Sequence, residues 1–233
     1  MTEHGARPSL SVIVPVLNEA DGIRAVLACL QPLRALGHEL ILVDGGSVDD
    51  TVAQAKGLVD HLLHAPRGRA LQLRAGAEQA RGDWLWFVHG DTRVSAAALA
   101  VLLRTLADPA VAWGRFDVRL SGQAWSLRMI EWLMNLRSRI SGIATGDQAL
   151  FLRRELYARA GGWPPIPLME DVALSRTLKR LARPACLRET VLTSSRRWER
   201  HGILPTVWLM WRLRLAFALG ADPARLARHY AEH

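Results

Sequence analysis

Apolar residues follow two rhythms along this chain. Unbroken apolar runs occupy 11–17, 40–43 and 84–88, the signature of strands buried on both faces. After the first run, Ile23, Val26, Leu27, Leu30 and Leu33 recur at helical spacing. The helical rhythm returns over 69–80 and 96–106, and a short strand-like piece, His61 to His64, precedes the former. Strands alternating with helices predict a parallel sheet with crossover helices. Pro15, late in the first run, predicts an edge strand or a strand end. Ser47, Asp49 and Asp50 follow Gly45 and Gly46 and are placed to cap a further helix.

The pattern changes near Ala110. Residues 113–120 alternate like a half-exposed strand, and 123–140 read as a helix. A loop over 142–147 leads to a short strand at 148–152, and Gly161, Gly162, Pro164 and Pro165 mark a turn around Trp163. A helix over 169–181 opens with Glu170 and Asp171, acids that suit its amino-terminal dipole. A last apolar helix, 203–217, carries Trp208 and Trp211 and is interrupted by Arg212 and Arg214. No repeat, low-complexity tract or linker divides the chain. The expectation is one α/β domain over 1–233, with a mostly parallel central sheet, a first half at 9–109, a second at 110–200 and carboxyl-terminal helices at 201–233.

Composition narrows the picture modestly. Half of the 233 residues are apolar, enough for a full core. The net charge is +8, and all 30 basic residues except Lys56 and Lys179 are arginine, an excess read mainly as genome composition. A basic surface attracts nucleic acid, anionic lipid or a phosphorylated small molecule. Arginine runs interleaved with aromatics are missing, so nucleic acid is not an expected partner. Cys29 and Cys186 sit in apolar contexts and are expected to be buried free thiols. No leader is read in the polar residues before Ser9, and no stretch reaches the roughly 20 apolar residues of a membrane span. A cytoplasmic location is therefore expected. The 203–217 helix leaves two arrangements open: packed on its own domain or on a second copy, or lying in a membrane interface, which would make the protein peripheral to the inner membrane.

Candidate chemistry gathers where strands end. Asp44 closes the 40–43 run, and His89, Gly90 and Asp91 close the 84–88 run. In open α/β sheets ligands bind beyond the carboxyl ends of the strands. A carboxylate there can accept two hydrogen bonds from a ribose or the edge of a base. A turn with a helix cap is the plainer reading of Asp44 alone, but two strands delivering acids to one edge exceed turn chemistry.

Together these residues resemble the family 2 glycosyltransferases of GT-A fold, over about 9–221. The likeness rests on Ser11 to Glu19 at the opening, on Asp44 to Thr51 as a form of the Asp-Asp-Gly-Ser-x-Asp-x-Thr signature, on Gly68 to Gly76, and on the strand ending at Asp91. In the second half it rests on Gly161-Gly162-Trp163 and Glu170-Asp171. Met134 to Arg139, Gly142 to Gln148, Pro167 to Asp171 and Arg196 to Arg200 are similar to a bacterial subgroup, the radical-SAM or selenodomain-associated transferases 2, linked to arsenosugar biosynthesis. One departure is clear. His89 stands where the first acid of Asp-x-Asp usually stands, while Asp91 matches the second, which holds the metal.

The resemblance implies an inverting transfer from a nucleotide-diphosphate sugar, UDP favoured over GDP, to a small acceptor. Pro15, Asn18, Glu19, Asp44, Ser47, Arg69, His89 and Gly90 would lie on the donor side. Mg²⁺ or Mn²⁺ on Asp91 would offset the charge growing on the leaving diphosphate. Unit charges ~4 Å apart interact by about 4 kcal/mol at an effective ε of 20, more than a neutral hydrogen bond supplies. Asp171 would take the acceptor's proton, with Glu170 orienting; the plain alternative is that both acids cap their helix. Arg69 either bonds the donor or is a solvated helix start. His89 either replaces the lost acid, as partner or metal ligand, or is structural. Asp147 and Gln148 either line the acceptor pocket or start a strand. Arg196, Arg197 and His201 form a basic lid over the diphosphate, with His201 a further metal contact, or are solvated; Trp198 packs beneath in either case. Two other classes fit less well: a nucleotidyltransferase, which needs a glycine-rich basic loop where Asn18 and Glu19 stand, and a non-catalytic sugar-nucleotide or membrane-surface binder.

Overall fold

The three apolar runs become β1 (Leu10–Val16), β2 (Glu39–Asp44) and β4 (Trp84–Phe87). The computed structural model describes residues 9–231, without the side chains of Arg197 and Ala231, so the segment read as leaderless, 1–8, lies outside the described residues. With β3 (His61–His64), β5 (Arg93–Val94), β6 (Trp113–Leu120), β7 (Phe151–Arg153) and β8 (Ala185–Thr193) they form one sheet in the order β3-β2-β1-β4-β7-β6-β8-β5. Strands β3, β2, β1 and β4 are parallel neighbours, as are β6 and β8; β7 runs antiparallel to both β4 and β6. The mostly parallel α/β architecture is the expected one.

Unbroken apolar runs are required because each strand feeds two cores. Val12, Val14, Leu40, Leu42, Trp84 and Trp86 pack on one side with α1 (Ile23–Ala35) and α4 (Ala96–Leu106). Ile13, Ile41, Val43, Leu85 and Phe87 pack on the other with α3 (Arg69–Gln79) and α7 (Glu170–Leu181). Full burial of one such side chain contributes roughly 1.5–3 kcal/mol, so neither face can be left to solvent. Gly76 lets α3 lie close on the sheet: a Cβ there would stand 2.5 Å from Ile13 Cγ2 and 3.0 Å from Val43 Cγ2.

Several local expectations change. Pro15 marks a strand end and not an edge, since β1 is central; β4 pairs with β1 only from Leu10 to Ile13, so no ladder bond is asked of Pro15 on that side. Strand β6 is buried except at Asp117 and Arg119, because α5 (Trp125–Ser141) covers it, and Asn135 of α5 bonds both the N–H and the carbonyl of Val118. The strand expected from 148 begins at Phe151, because Gly146–Gln148 form a 3₁₀ turn. Cys29 and Cys186 are free thiols but only half-buried.

The carboxyl-terminal part forms α8 (Arg196–His201), α9 (Ile203–Ala218) and α10 (Pro223–Ala231). Leu209 and Leu213 of α9 pack with Leu168, Met169 and Val172, pinning α9 to the start of α7. The opposite stripe, Leu204, Trp208, Trp211 and Leu215, is exposed, and so is a stripe on α5 that includes Trp125, Met129, Trp132 and Ile140. Among the described residues no helix is long and apolar enough to cross a membrane.

Candidate active site

The parallel strands deliver their carboxyl ends to one edge of the sheet, and the loops there are cross-tied. The Asn18 N–H donates to Ser47 Oγ at 2.9 Å, and the Val48 N–H donates back to Asn18 Oδ1 at 2.9 Å. The Glu19 N–H donates to Thr51 Oγ1 at 2.7 Å. Asn18 has φ 55°, a left-handed conformation that asparagine tolerates. Ser47 therefore caps no helix. Its hydroxyl and N–H bond Asp44, and Asp49 instead accepts from Thr51, at the start of the short α2 (Thr51–Ala55).

Asp44 is buried, and its carboxylate is used within its own turn. It accepts from the N–H groups of Gly46 and Ser47 at 3.0 and 3.1 Å and from the Ser47 hydroxyl, with His64 Nδ1 at 3.4 Å. Burial pushes its acidity down, and these hydrogen bonds outweigh that and hold its pKa below the usual carboxylate value. A carboxylate has about four acceptor positions, and here most are taken. In this arrangement the Asp44 side chain organises the loop and offers little to a ribose.

Strand β4 ends at His89, Gly90 and Asp91. Gly90 is closely confined: a Cβ would lie 3.0 Å from Val16 Cγ1 and 3.2 Å from the Pro15 carbonyl, so its neighbours would have to give way. Asp91 Oδ1 is 3.4 Å from the hydroxyls of both Thr92 and Thr193, which join β4's loop to the end of β8. His89 turns away toward the second half, with Nδ1 3.5 Å from Asp147 Oδ1. Its Nε2 edge packs on Gly146, where a Cβ would come within 2.6 Å. His89 thus joins the β4 loop to Asp147 and Gly146 of the second half.

The second half meets this edge at the start of α7. Met169 caps α7 in a left-handed conformation, φ 66°, and swings Glu170 and Asp171 toward the sheet edge. Such backbone in a large side chain is uncommon and tends to cluster at functional sites. Arg69, at the start of α3, ion-pairs with Glu170 through Nε and has Nη2 3.9 Å from Asp171 Oδ2. Burial works against its charge, but Glu170 and Asp171 outweigh this and raise its pKa. Asp171 Oδ2 accepts from the Gly146 N–H at 2.8 Å, and Oδ1 from the Val172 N–H at 2.7 Å. Glu170 is wholly buried, with Oε2 left without a hydrogen-bond partner. Burial tends to raise the Asp147 pKa; the His89 hydrogen bond and charge, then Arg69 and Arg214, lower it below its ordinary value.

One connected set of contacts thus runs from His89 through Asp147 and Gly146 to Asp171, Arg69 and Glu170. Gln148 is wholly buried; it and Thr145 form a reciprocal capping box that folds the 3₁₀ turn and presents Asp147. Arg196 of α8 crosses to the first loop and ion-pairs with Glu19 at 2.6 Å. Trp198 packs on the cluster of Leu120, Leu127 and Ile130. His201 ends α8 with its side chain exposed, and the Arg197 side chain lies outside the described residues.

Some participants have no clear mark in the sequence. Gln72 of α3 is buried and donates to the carbonyls of Val16 and Val43 at 2.8 and 2.9 Å, closing the ends of β1 and β2. Arg115 and Arg139 share Asp117 beneath the second half. Arg137 and Arg214 reach toward Asp147 and Asp171 from α5 and α9. Of these, Gln72, Arg137 and Arg139 lay within stretches singled out by motif, with no role read for them.

Among the described residues no group of three histidine, cysteine or acidic side chains converges as a self-contained metal site. The donor set does fit a hard dication of another kind. Mg²⁺ commonly uses one or two carboxylates and completes its shell with water and substrate phosphates. Asp91, an acid at the sheet edge, meets that requirement.

A model of glycosyl transferase family 2 matches residues 11–157. The uncharacterised glycosyltransferase YibD of Escherichia coli K12 is 28% identical over 188 residues, 74% of this chain and 52% of its own length. The Mycobacterium tuberculosis protein MT1568 is 35% identical over 111 residues, 46% of this chain and 35% of its own. The chain thus spans about a third to a half of the length of these curated relatives. Among solved structures, Staphylococcus aureus TarS (1–349) with UDP superposes with a TM-score of 0.65 over 80% of this chain and 60% of that one, at 18% identity. The mannosyltransferase PcManGT of Pyrobaculum calidifontis with GDP-Man and Mn²⁺ gives 0.63 over 91% and 62%, at 21% identity. At these identities the likeness to solved structures is one of fold.

Proposed function

The chain belongs to glycosyl transferase family 2, with the GT-A type of α/β fold, and we propose that it transfers a sugar from a nucleotide-diphosphate donor, a UDP-sugar in preference to a GDP-sugar, to a small acceptor with inversion at the anomeric carbon. The observation that carries this reading is the contact chain from His89 to Asp171. It joins the loop that bears Asp91 to the acids of α7 across a single edge. Solved relatives of the same fold hold UDP or GDP-Man, the latter with Mn²⁺, which supports a nucleotide-sugar donor here.

On the donor side, Arg69 and Arg196 supply positive charge, and the cross-tied loops after β1 and β2 form the floor. Asp91 would hold Mg²⁺ or Mn²⁺, which when bound offsets charge on the departing diphosphate. On the acceptor side, Asp171 takes the proton of the attacking hydroxyl. Two backbone N–H groups and the Arg69 guanidinium fix its carboxylate in place, while each oxygen keeps a second lone pair for the incoming proton. Glu170 holds Arg69 in place. A single base facing the leaving group gives inversion, since no second carboxylate is needed as nucleophile. The likeness to the arsenosugar-linked subgroup supports a small soluble acceptor, and a cytoplasmic site of action accords with it.

The test incubates the protein with a panel of UDP- and GDP-sugars and Mn²⁺, with water and simple alcohols as acceptors, and follows nucleotide release and anomeric configuration by NMR. Turnover of at least one donor with inversion is expected, and Asp171→Asn should lower its rate by about 10²–10⁴. Nucleotide binding without turnover of any donor would leave a non-catalytic sugar-nucleotide binder as the correct description.

A further inference from the structure

Two half-buried arginines, Arg137 of α5 and Arg214 of α9, carry guanidinium nitrogens that are enclosed without a partner. Nε and Nη2 of Arg137 and Nε of Arg214 are shut off from solvent and meet no hydrogen-bond acceptor. Among the described residues neither arginine makes an ion pair, although Asp147 and Asp171 attract both electrostatically. Their neighbours differ in this respect. Arg115 and Arg139 share Asp117, and Arg69 is held by Glu170.

Helix packing brings the pair together. Ile130 and Met134 of α5 belong to one cluster with Ile203 and Val207 of α9. Arg137 lies three residues beyond Met134 and Arg214 seven beyond Val207, spacings that keep each on the packed face of its helix. Leu213, beside Arg214, is anchored against Met169 and Val172, which flank the two acids. Burial pushes Arg137 down to about 10, with the charge of Arg214 acting in the same direction, and burial also lowers Arg214. Both remain charged at neutral pH. Two like charges held together, with unused N–H groups and no counter-ion in contact, are disfavoured unless an anion joins them.

We propose that Arg137 and Arg214 form an anion subsite on the acceptor side, which holds a carboxylate or phosphate of the acceptor and thereby presents its hydroxyl to Asp171. The proposal rests on the glycosyltransferase reading and names the acceptor's chemical class: a small hydroxylated anion. Planar guanidiniums suit either oxyanion, because each can offer two parallel N–H groups. The donor diphosphate is the other anion that could occupy these groups. It is expected nearer Asp91 beyond the end of β4, whereas Arg137 comes from a helix of the second half and Arg214 from a carboxyl-terminal helix.

The experiment titrates inorganic phosphate calorimetrically into protein saturated with UDP and Mg²⁺, for wild type, Arg137→Met and Arg214→Met. Thermal melts confirm that each variant is folded, and if one is not, the other carries the test. Wild type should bind phosphate without displacing UDP. Each substitution should weaken phosphate binding at least tenfold and leave UDP affinity within twofold. Unchanged phosphate binding in the folded variants would sink the idea, as would no phosphate binding to wild type. Loss of UDP binding in both variants would move the arginines to the donor diphosphate and overturn it equally. If wild type binds no nucleotide, the glycosyltransferase reading fails by itself, and phosphate titrated into the ligand-free chain still reports on the subsite.

Discussion

The carboxylate of Asp44 accepts from Gly46, from both groups of Ser47 and faces His64, so it is consumed by the turn that it starts. Asp44→Ala would remove the acceptor of these partly exposed donors and should cost about 1.5 kcal/mol, seen as a melting-temperature drop of roughly 3–6 °C for a chain of this size. The pH dependence has a definite sign. The folded pKa is depressed, so this stabilisation is complete above the unfolded value near about 4 and is lost as pH falls through the folded value. The gap in melting temperature between wild type and Asp44→Asn should therefore narrow between about pH 5 and pH 3, and a constant gap would remove the charge from the explanation. The locations of Asp44, Asp91 and Asp171 were legible because a strand end or a helix start is written in neighbouring residues. What Asp44 bonds was not, since a carboxylate suits a ribose and a pair of N–H groups equally well. Gln72 was illegible for a related reason: its partners, the carbonyls of Val16 and Val43, are distant in sequence and carry no side-chain signature.

Among the elements, α9 has two unlike faces. One face packs on the start of α7 through Leu209 and Leu213, and the other exposes Leu204, Trp208, Trp211 and Leu215. Helix α5 adds a second exposed apolar stripe, and Met134 of α5 and Val207 of α9 pack against one shared cluster. Tryptophan-bearing apolar stripes with arginines nearby suit the boundary between lipid headgroups and acyl chains. Wild type should sediment with phosphatidylglycerol vesicles more than with phosphatidylcholine vesicles, and Trp208→Ala with Trp211→Ala should cut that binding several-fold. Equal sedimentation of the double variant would instead leave the stripe to a second copy of the chain, read by its oligomeric state. The helical period of 203–217 was plain in sequence, but which side packs depended on where α7 and α10 came to lie. Strand β6 makes the same point, because its alternating pattern read as half-exposed until α5 covered it.

For the molecule as a whole, the first half provides the sheet edge and the second half closes over it through Asp147, Gly146 and Asp171. A ligand that binds only the assembled edge must stabilise both halves together. UDP with Mn²⁺ at a hundred times its dissociation constant should add about 2.7 kcal/mol, a rise of roughly 5–11 °C. Asp91→Asn should lose the Mn²⁺-dependent part of that rise while keeping the unliganded melting temperature; a variant that responds to Mn²⁺ like wild type would take Asp91 out of the metal site. By itself, the sequence determined the alternating strands and helices, the two-faced burial of β1, β2 and β4, and the acids at their ends, because periodicity and chain punctuation are local properties. Only the tertiary structure decided that His89 meets Asp147, that Gln148 folds a turn, and that Arg137 and Arg214 come within electrostatic range of Asp171. Those outcomes depend on distances between residues far apart in the chain, and packing sets such distances without leaving a local pattern.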